Sequence, residues 1–353
     1  MKQVVVIEGE DAAPEAMRPT LALIDRLGLP IEWVHPPVGE GGLRTHGALF
    51  PDACRDAIDA SDATLFGATS GKSAPALFYL RWGKQTYANV RPARWMPGCR
   101  SPLARPGGID FVIVRENLED LYVGVEGDLA ALRPLGLTSV TRGHAVADMG
   151  PGRFALKVIT EAGSQRVVRF AFELAHRRRA QGRPGKVTCA SKYNMLPRTD
   201  GLFRDVAARV AATYPDIAFE TFIVDDFARR LVAAPHDLDV VVLPNLYGDI
   251  LSDAAAGLIG GLGLAPSGCY GDAYAYFESA HGSAPDIAGR NIINPTATIL
   301  SATMMLDHLG FGAAARRLEA AVARVYAVGR VLTPDQGGGA TTTEFCTAVA
   351  DAL

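Results

Sequence analysis

The sequence predicts an α/β protein organised around a partly parallel, buried sheet. Short β-branched runs alternate with longer Ala/Leu/Arg-rich stretches along the whole chain. No internal repeat and no low-complexity segment breaks that alternation. A third observation excludes the commonest parallel-sheet fold. The residues after the first apolar run are Glu8-Gly9-Glu10-Asp11-Ala12-Ala13, which carry no Gly-x-Gly-x-x-Gly, so a Rossmann or P-loop reading fails at its most diagnostic position.

In chain order, Val4–Ile7 reads as the first buried strand, because it is too short for the apolar core of a signal peptide. The spacing then predicts a helix over Ala16–Leu27 and strands over Ile31–Val34, Ala63–Phe66 and Phe111–Val114. Helices are expected over Ser164–Arg177 and Leu202–Ala212, with strands at Val187–Ala190, Ile217–Val224 and Val240–Pro244. Ala297–His308 and Ala313–Val328 complete the set as helices. The basic run His176 to Arg179, followed by Gly182, Pro184 and Gly185, reads as a helix C-terminus whose cations offset the dipole, in preference to a phosphate patch.

Two stretches stand outside the pattern. Arg91 to Gly108 holds four prolines and four arginines and is expected to cross between two lobes. His281 to Pro295 is rich in Gly, Ser, Pro and Asn, and an irregular segment of that length is usually functional.

Composition narrows the function classes. The chain has 353 residues, 48% hydrophobic and 21% charged, with a net charge of -3, so no global attraction draws it to nucleic acid or an anionic membrane. Its five cysteines (Cys54, Cys99, Cys189, Cys269, Cys346) form no CxxC pair, which fits reduced thiols in a cytoplasmic protein. No stretch approaches the roughly 20 apolar residues of a bilayer span. HExxH and Gly-x-Ser-x-Gly are absent as well.

The segment Asn245-Leu246-Tyr247-Gly248-Asp249-Ile250-Leu251-Ser252-Asp253 follows a predicted strand and opens a helix. Asp249 and Asp253 are spaced i, i+4, so both carboxylates share one helix face. A bound cation would turn their repulsion into attraction, and all-oxygen ligands suit Mg²⁺ or Mn²⁺. An acid-rich first helix turn that answers the dipole explains the spacing equally well. Arg115 ends a buried strand, where a guanidinium can grip a carboxylate through two hydrogen bonds. Arg81 and Arg91 can complete a cationic cluster, although any one arginine taken alone also fits a surface position. Lys192 follows the strand Val187–Ala190, at the carboxyl end where α/β proteins place their chemistry, and alone it also reads as a solvated lysine.

Taken together, YANVRP (87–92), VREN (114–117), LYGDILSD (246–253), ESAHGSAPDIAG (278–289) and TPDQGG (333–338) resemble the β-decarboxylating dehydrogenases of the isocitrate/isopropylmalate dehydrogenase family over nearly the whole chain. That resemblance implies the family's own α/β fold, with two lobes around a cleft: 1–98 with 250–353 as a large cofactor-binding lobe, and 99–249 as a small lobe with substrate residues and the dimer interface. It implies a homodimer with shared active sites and a small diacid substrate. By resemblance, Arg81, Arg91 and Arg115 grip the malate-like part of that substrate. Tyr122 protonates the enol left by decarboxylation, and Lys192 takes the hydroxyl proton after reaching in from the partner subunit. Asp225 is expected as the metal ligand supplied across the interface, with Asp249 and Asp253 from the home subunit. A divalent metal would polarise the 2-hydroxyl and stabilise the developing enolate, while hydride leaves C2 for the nicotinamide.

The resemblance assigns cofactor binding to Glu278, His281, Gly282, Ser283, Ala284, Asp286, Ile287 and Asn294, with the His281–Pro295 loop as home for the adenosine half and Asn294 a candidate reader of adenine. Asp286 can accept bonds from ribose hydroxyls and would repel a 2′-phosphate, so NAD is expected over NADP. Two departures from the family pattern stand out. The first turn has lost two glycines at positions 9–15, so its backbone is expected to avoid positive φ. An acidic position before Arg81 is Ala74. Near Arg81, Pro75, Leu77 and Phe78 disfavour a third carboxylate, since a buried unpaired charge is costly. Together with the stretches 96–104 and 109–111, this resembles the D-malate/tartrate branch, with 3-alkylmalates and isocitrate as alternatives.

Overall fold

The computed structural model describes residues 1–353. Twelve strands form in chain order: β1 (Lys2–Ile7), β2 (Ile31–Val34), β3 (Ala63–Phe66), β4 (Ala88–Arg94), β5 (Asp110–Glu116), β6 (Glu126–Asp128), β7 (Arg153–Ala155), β8 (Lys186–Ser191), β9 (Ala218–Ile223), β10 (Val240–Leu243), β11 (Pro266–Tyr270) and β12 (Ala275–Ser279). The helices are α1 (Ala13–Asp25), α2 (Gly39–His46), α3 (Asp52–Ala60), α4 (Ala74–Phe78), α5 (Glu161–Ala180), α6 (Asp200–Ala211), α7 (Val224–Ala233), α8 (Asn245–Ile259), α9 (Thr296–His308), α10 (Gly312–Val328) and α11 (Thr342–Asp351). None is long and apolar enough to cross a membrane.

Ten strands make one sheet, in the order β2-β1-β3-β12-β11-β4-β5-β10-β8-β9, and β6 pairs with β7 separately. The flanks are parallel; their inner strands β1, β3, β8 and β10 are largely buried on both faces, while the edge strands β2 and β9 are partly exposed. These are the strands that the apolar runs predict. The centre is different: β12, β11, β4 and β5 pair antiparallel in sequence. The expected lobe crossing at Arg91–Gly108 therefore begins inside the sheet, because Arg91 to Arg94 are the last residues of β4. Pro92 is tolerated there because β11 covers β4 only over Ala88–Val90, which leaves the proline nitrogen on an uncovered edge.

The sheet is continuous from one flank to the other, and the largest apolar core follows it. Val4, Leu65 and Ile299 belong to that core together with Ile113, Val241 and Leu243. A second core, centred on Val114, Phe172, Val187 and Phe203, packs α5 and α6 against the β5–β10–β8 flank. The basic run ends α5 as expected, with one exception. Arg178 turns inward to Asp239 (2.6 Å), whose carboxylate is buried, and to Asp110. A structural ion pair absorbs it.

Candidate active site

Carboxyl ends of strands deliver most of the site. Arg115 lies near the end of β5, Arg91 projects from β4, and α8 begins two residues after β10. Arg81 arrives differently. After α4 the backbone widens into a π-turn over Tyr79–Gly83, closed by the Lys84 N–H donating to the Tyr79 carbonyl at 2.9 Å. Such turns often mark functional positions, and this one lays the Arg81 guanidinium over the Trp82 ring (4.9 Å) and the Tyr122 ring (5.6 Å).

The three arginines meet around the first turns of α8. Arg115 Nη1 is 2.5 Å from Asp249 Oδ1, and Arg91 Nη1 stands 3.3 Å from Asp249 and 3.3 Å from Asp253. Tyr122 donates its hydroxyl to Asp249 Oδ2 at 2.8 Å. Burial, with Arg81 and Arg91 close by, pulls the Arg115 guanidinium down to about 10. Burial would raise the Asp249 carboxyl, but Arg115, Arg91 and the Tyr122 hydroxyl hold it below the ordinary range. Asp253 goes the other way, raised by burial and by Asp249 against the pull of Arg91. Two carboxylates on one helix face thus converge on one cationic nitrogen, a geometry that fits a cation between them.

Asn245 was not among the sequence candidates, yet it holds the cluster together. Its Oδ1 accepts Arg115 Nη2 (2.7 Å), Arg115 Nε (3.0 Å) and Arg81 Nη2 (3.2 Å), and its Nδ2 donates to the Glu119 carbonyl. Its only sequence signal is an asparagine directly after a buried strand. Gly248 is fixed by the same approach: a Cβ there would lie 2.7 Å from Arg115 Cβ and Cγ.

Lys192 and Asp225 form their own pair, 2.5 Å apart, at the end of β8 and in the first turn of α7. No group of three or more His, Cys, Asp or Glu in this chain is placed to hold a metal. Asp225 therefore does not join Asp249 and Asp253 within one chain.

The His281–Pro295 segment forms a loop as expected and walls a cavity of about 470 Å³ with His281, Gly282, Ala284, Ile287 and Asn294. His281 Nδ1 lies 2.9 Å from the Gly282 carbonyl, which makes it the donor and leaves Nε2 an acceptor that is buried without a partner. Burial holds this imidazole below its ordinary pKa, in the neutral form. Asp286 is exposed on the turn Pro285–Ile287. Glu278 stands apart, on the arginine side: burial raises its carboxyl while Arg91, Arg81 and Arg115 oppose the rise. Two expected contacts are already used internally. The Asn294 side chain binds Asp335, Tyr326 and the Thr296 N–H, and the Ser283 hydroxyl donates to Asp11 at 2.6 Å. Asn294 therefore offers the cavity backbone and apolar surface, with its amide already bonded.

The first turn departs from expectation. Its backbone does not avoid positive φ after losing glycines, for Asp11 takes φ +55. Aspartate is among the residues that best tolerate this region, and its carboxylate is held there by Ser283. Leu77 is partly buried, and Phe78 is 54% exposed and packs edge-on against Trp82 at 5.3 Å.

Comparison with known proteins finds relatives along the whole chain. The family model for isocitrate/isopropylmalate dehydrogenase matches residues 3–351. A 3-isopropylmalate/3-methylmalate dehydrogenase of Methanocaldococcus jannaschii is 43% identical, over 99% of this chain and 98% of its own. An isocitrate/homoisocitrate dehydrogenase of Thermus thermophilus is 44% identical over 99% and 98%. Among solved structures, the isocitrate dehydrogenase from Methylococcus capsulatus superposes with a TM-score of 0.86 at 35% identity, covering 100% of this chain and 99% of that one.

Proposed function

Because the chain belongs to the isocitrate/isopropylmalate dehydrogenase family, we propose that it oxidises and decarboxylates a 2-hydroxy diacid lacking a third carboxylate, with NAD as acceptor and Mg²⁺ or Mn²⁺ bound. The observation that carries this reading is the convergence of Arg81, Arg91 and Arg115 beside Tyr122 and Asp249. Three guanidiniums together with a bound divalent cation would carry more positive charge than Asp249, Asp253 and Glu278 can offset, and a dicarboxylate would supply the difference.

When bound, the cation polarises the 2-hydroxyl and the dinucleotide accepts hydride. Asp249 and Asp253 would hold that cation, with the partner subunit's copy of Asp225 completing the set. Arg81, Arg91 and Arg115 orient the carboxylates. Lys192 would take the hydroxyl proton, also across the interface, and Tyr122 would return a proton to the enol carbon. The cavity beside His281 suits the adenosine, with the imidazole Nε2 free to accept a donor; Asp286, exposed next to the cavity-lining Ile287, would favour a ribose hydroxyl over a phosphate.

Phe78 and Leu77 support an alkyl group or hydrogen at C3 of the substrate. The relatives described above are named for isopropylmalate, methylmalate, isocitrate and homoisocitrate. An alkylmalate is therefore the better-supported choice over D-malate or tartrate. The test is a comparison of kcat/KM for 3-isopropylmalate, 3-methylmalate, D-malate, tartrate, isocitrate and homoisocitrate with Mn²⁺ and NAD. An alkylmalate should lead. A tricarboxylate in first place would overturn the apolar reading of Phe78.

A further inference from the structure

Lys157 stands outside the residues assigned above, and its surroundings are unusual. Its ammonium lies 2.7 Å from Asp200 Oδ2 and 3.3 Å from Asp120 Oδ1, and both carboxylates are 0% exposed. It also sits 4.5 Å over the Tyr247 ring, with the Tyr247 hydroxyl 3.4 Å away. One partly buried cation, with its side chain 14% exposed, thus serves two buried carboxylates, and each carboxylate holds a different piece of catalytic backbone.

Asp120 holds the Tyr122 side. Its Oδ1 accepts the Leu121 N–H (2.9 Å), opening the tight turn Leu121–Val123, and its Oδ2 accepts the Leu246 N–H (3.0 Å) at the start of α8. Its own backbone is held at φ +70, a conformation that costs energy outside glycine and persists only when its surroundings enforce it. Paired backbone hydrogen bonds with Val158, one residue beyond Lys157, provide that enforcement. Asp200 holds the Lys192 side. Its Oδ1 accepts the Lys192 N–H at 2.8 Å, and its carbonyl accepts the Ser191 hydroxyl at 3.1 Å.

We propose that Lys157 is a positioning residue that ties the Tyr122 turn to the Lys192 loop through Asp120 and Asp200. On the reading above, in which Lys192 serves the partner's active site while Tyr122 serves its own, the tie runs between the two catalytic centres of the dimer. A displacement of either loop is then passed to the proton-handling group of the other centre.

Two measurements on the intact dimer test this. The first is amide hydrogen exchange of Lys157→Arg, which keeps the charge and so preserves the fold. The planar guanidinium cannot reproduce the compact contact of an ammonium with both carboxylates. Exchange should rise at residues 120–123 and at 191–196 together, with α10 unchanged. Faster exchange at one segment only, or at neither, overturns the link.

The second is turnover. Lys157→Arg and Lys157→Met should lower kcat about 10- to 100-fold, as misplacement of a catalytic group does, with KM values near wild type and the arginine variant the milder. If Lys157→Met does not fold, the arginine variant decides alone. Mixed dimers of wild-type and variant chains should fall well below half of wild-type activity, because each centre receives one displaced group. Half-activity would mean that each lysine serves one centre, and would overturn the coupling. A wild-type chain silent on every diacid removes the proposed function, and the two-centre claim with it, while the exchange result still stands or falls independently.

Discussion

Replacing Asn245 by alanine is the sharpest perturbation of the arginine cluster, because that side chain touches two of its members without carrying charge. Three guanidinium N–H bonds end on its Oδ1. Arg115 Nε keeps a second acceptor in the Asn245 carbonyl at 3.1 Å, so two donors are orphaned: Arg115 Nη2 and Arg81 Nη2. Hydrogen bonds to charged groups contribute about 1.5–3 kcal/mol each. Arg115 is 3% exposed and cannot recover its partner from solvent, whereas Arg81 is half-buried and recovers part. The net destabilisation should be about 2–3 kcal/mol. Urea unfolding measures it as a lower midpoint at unchanged slope. Because the freed guanidiniums lose their mutual spacing, KM for the diacid should rise by about tenfold or more. A variant within about 0.5 kcal/mol of wild type with an unchanged KM would refute the view that Asn245 organises the site.

Gly248→Ala should cost about 1–3 kcal/mol and weaken diacid binding, since its Cβ would meet Arg115 at 2.7 Å, which thermal unfolding and KM report. Asp286→Lys should shift dinucleotide preference toward NADP, read as the ratio of kcat/KM for the two cofactors; an unchanged ratio would remove Asp286 from that role. Burial holds the His281 pKa below its ordinary 6.5, so the unfolded chain takes up a proton there before the folded one does. Its contribution to stability is therefore full above pH 6.5 and declines as pH falls through that value. His281→Gln should flatten that part of the stability profile. An interface variant that forces monomers should lose metal affinity and activity together, and an active monomer would contradict the shared site.

Much of this site was legible in the sequence because its residues sit beside parallel strands, and buried β-branched runs announce those strands. Arg115, Lys192 and the Asp249/Asp253 pair all follow such runs. Of the antiparallel centre, only β5 was legible, through Phe111–Val114. β4 carries Pro92 and two arginines, and β11 reads Pro-Ser-Gly-Cys-Tyr, so neither shows the apolar run of a buried strand. Asn245 escaped because its importance lies in which atoms it meets, 130 residues away at Arg115. The positive φ of Asp11 was not legible because a lost glycine signals its avoidance, while the Ser283 hydroxyl, distant in sequence, holds the aspartate there. Asn294 and Ser283 were found in place, but partners distant in sequence had already taken their polar atoms.

On the proposed function, hydride transfer and decarboxylation occur together on one diacid held by the three arginines. The direct measurement follows NADH absorbance and released CO₂ in parallel, with Mn²⁺, NAD and 3-isopropylmalate or D-malate. The proposed function predicts equal amounts of the two products, and loss of both in Arg115→Met. CO₂ released without NAD would mark a metal-dependent lyase, and silence from a folded protein that still binds the diacid would mark a binding protein; either result contradicts the account.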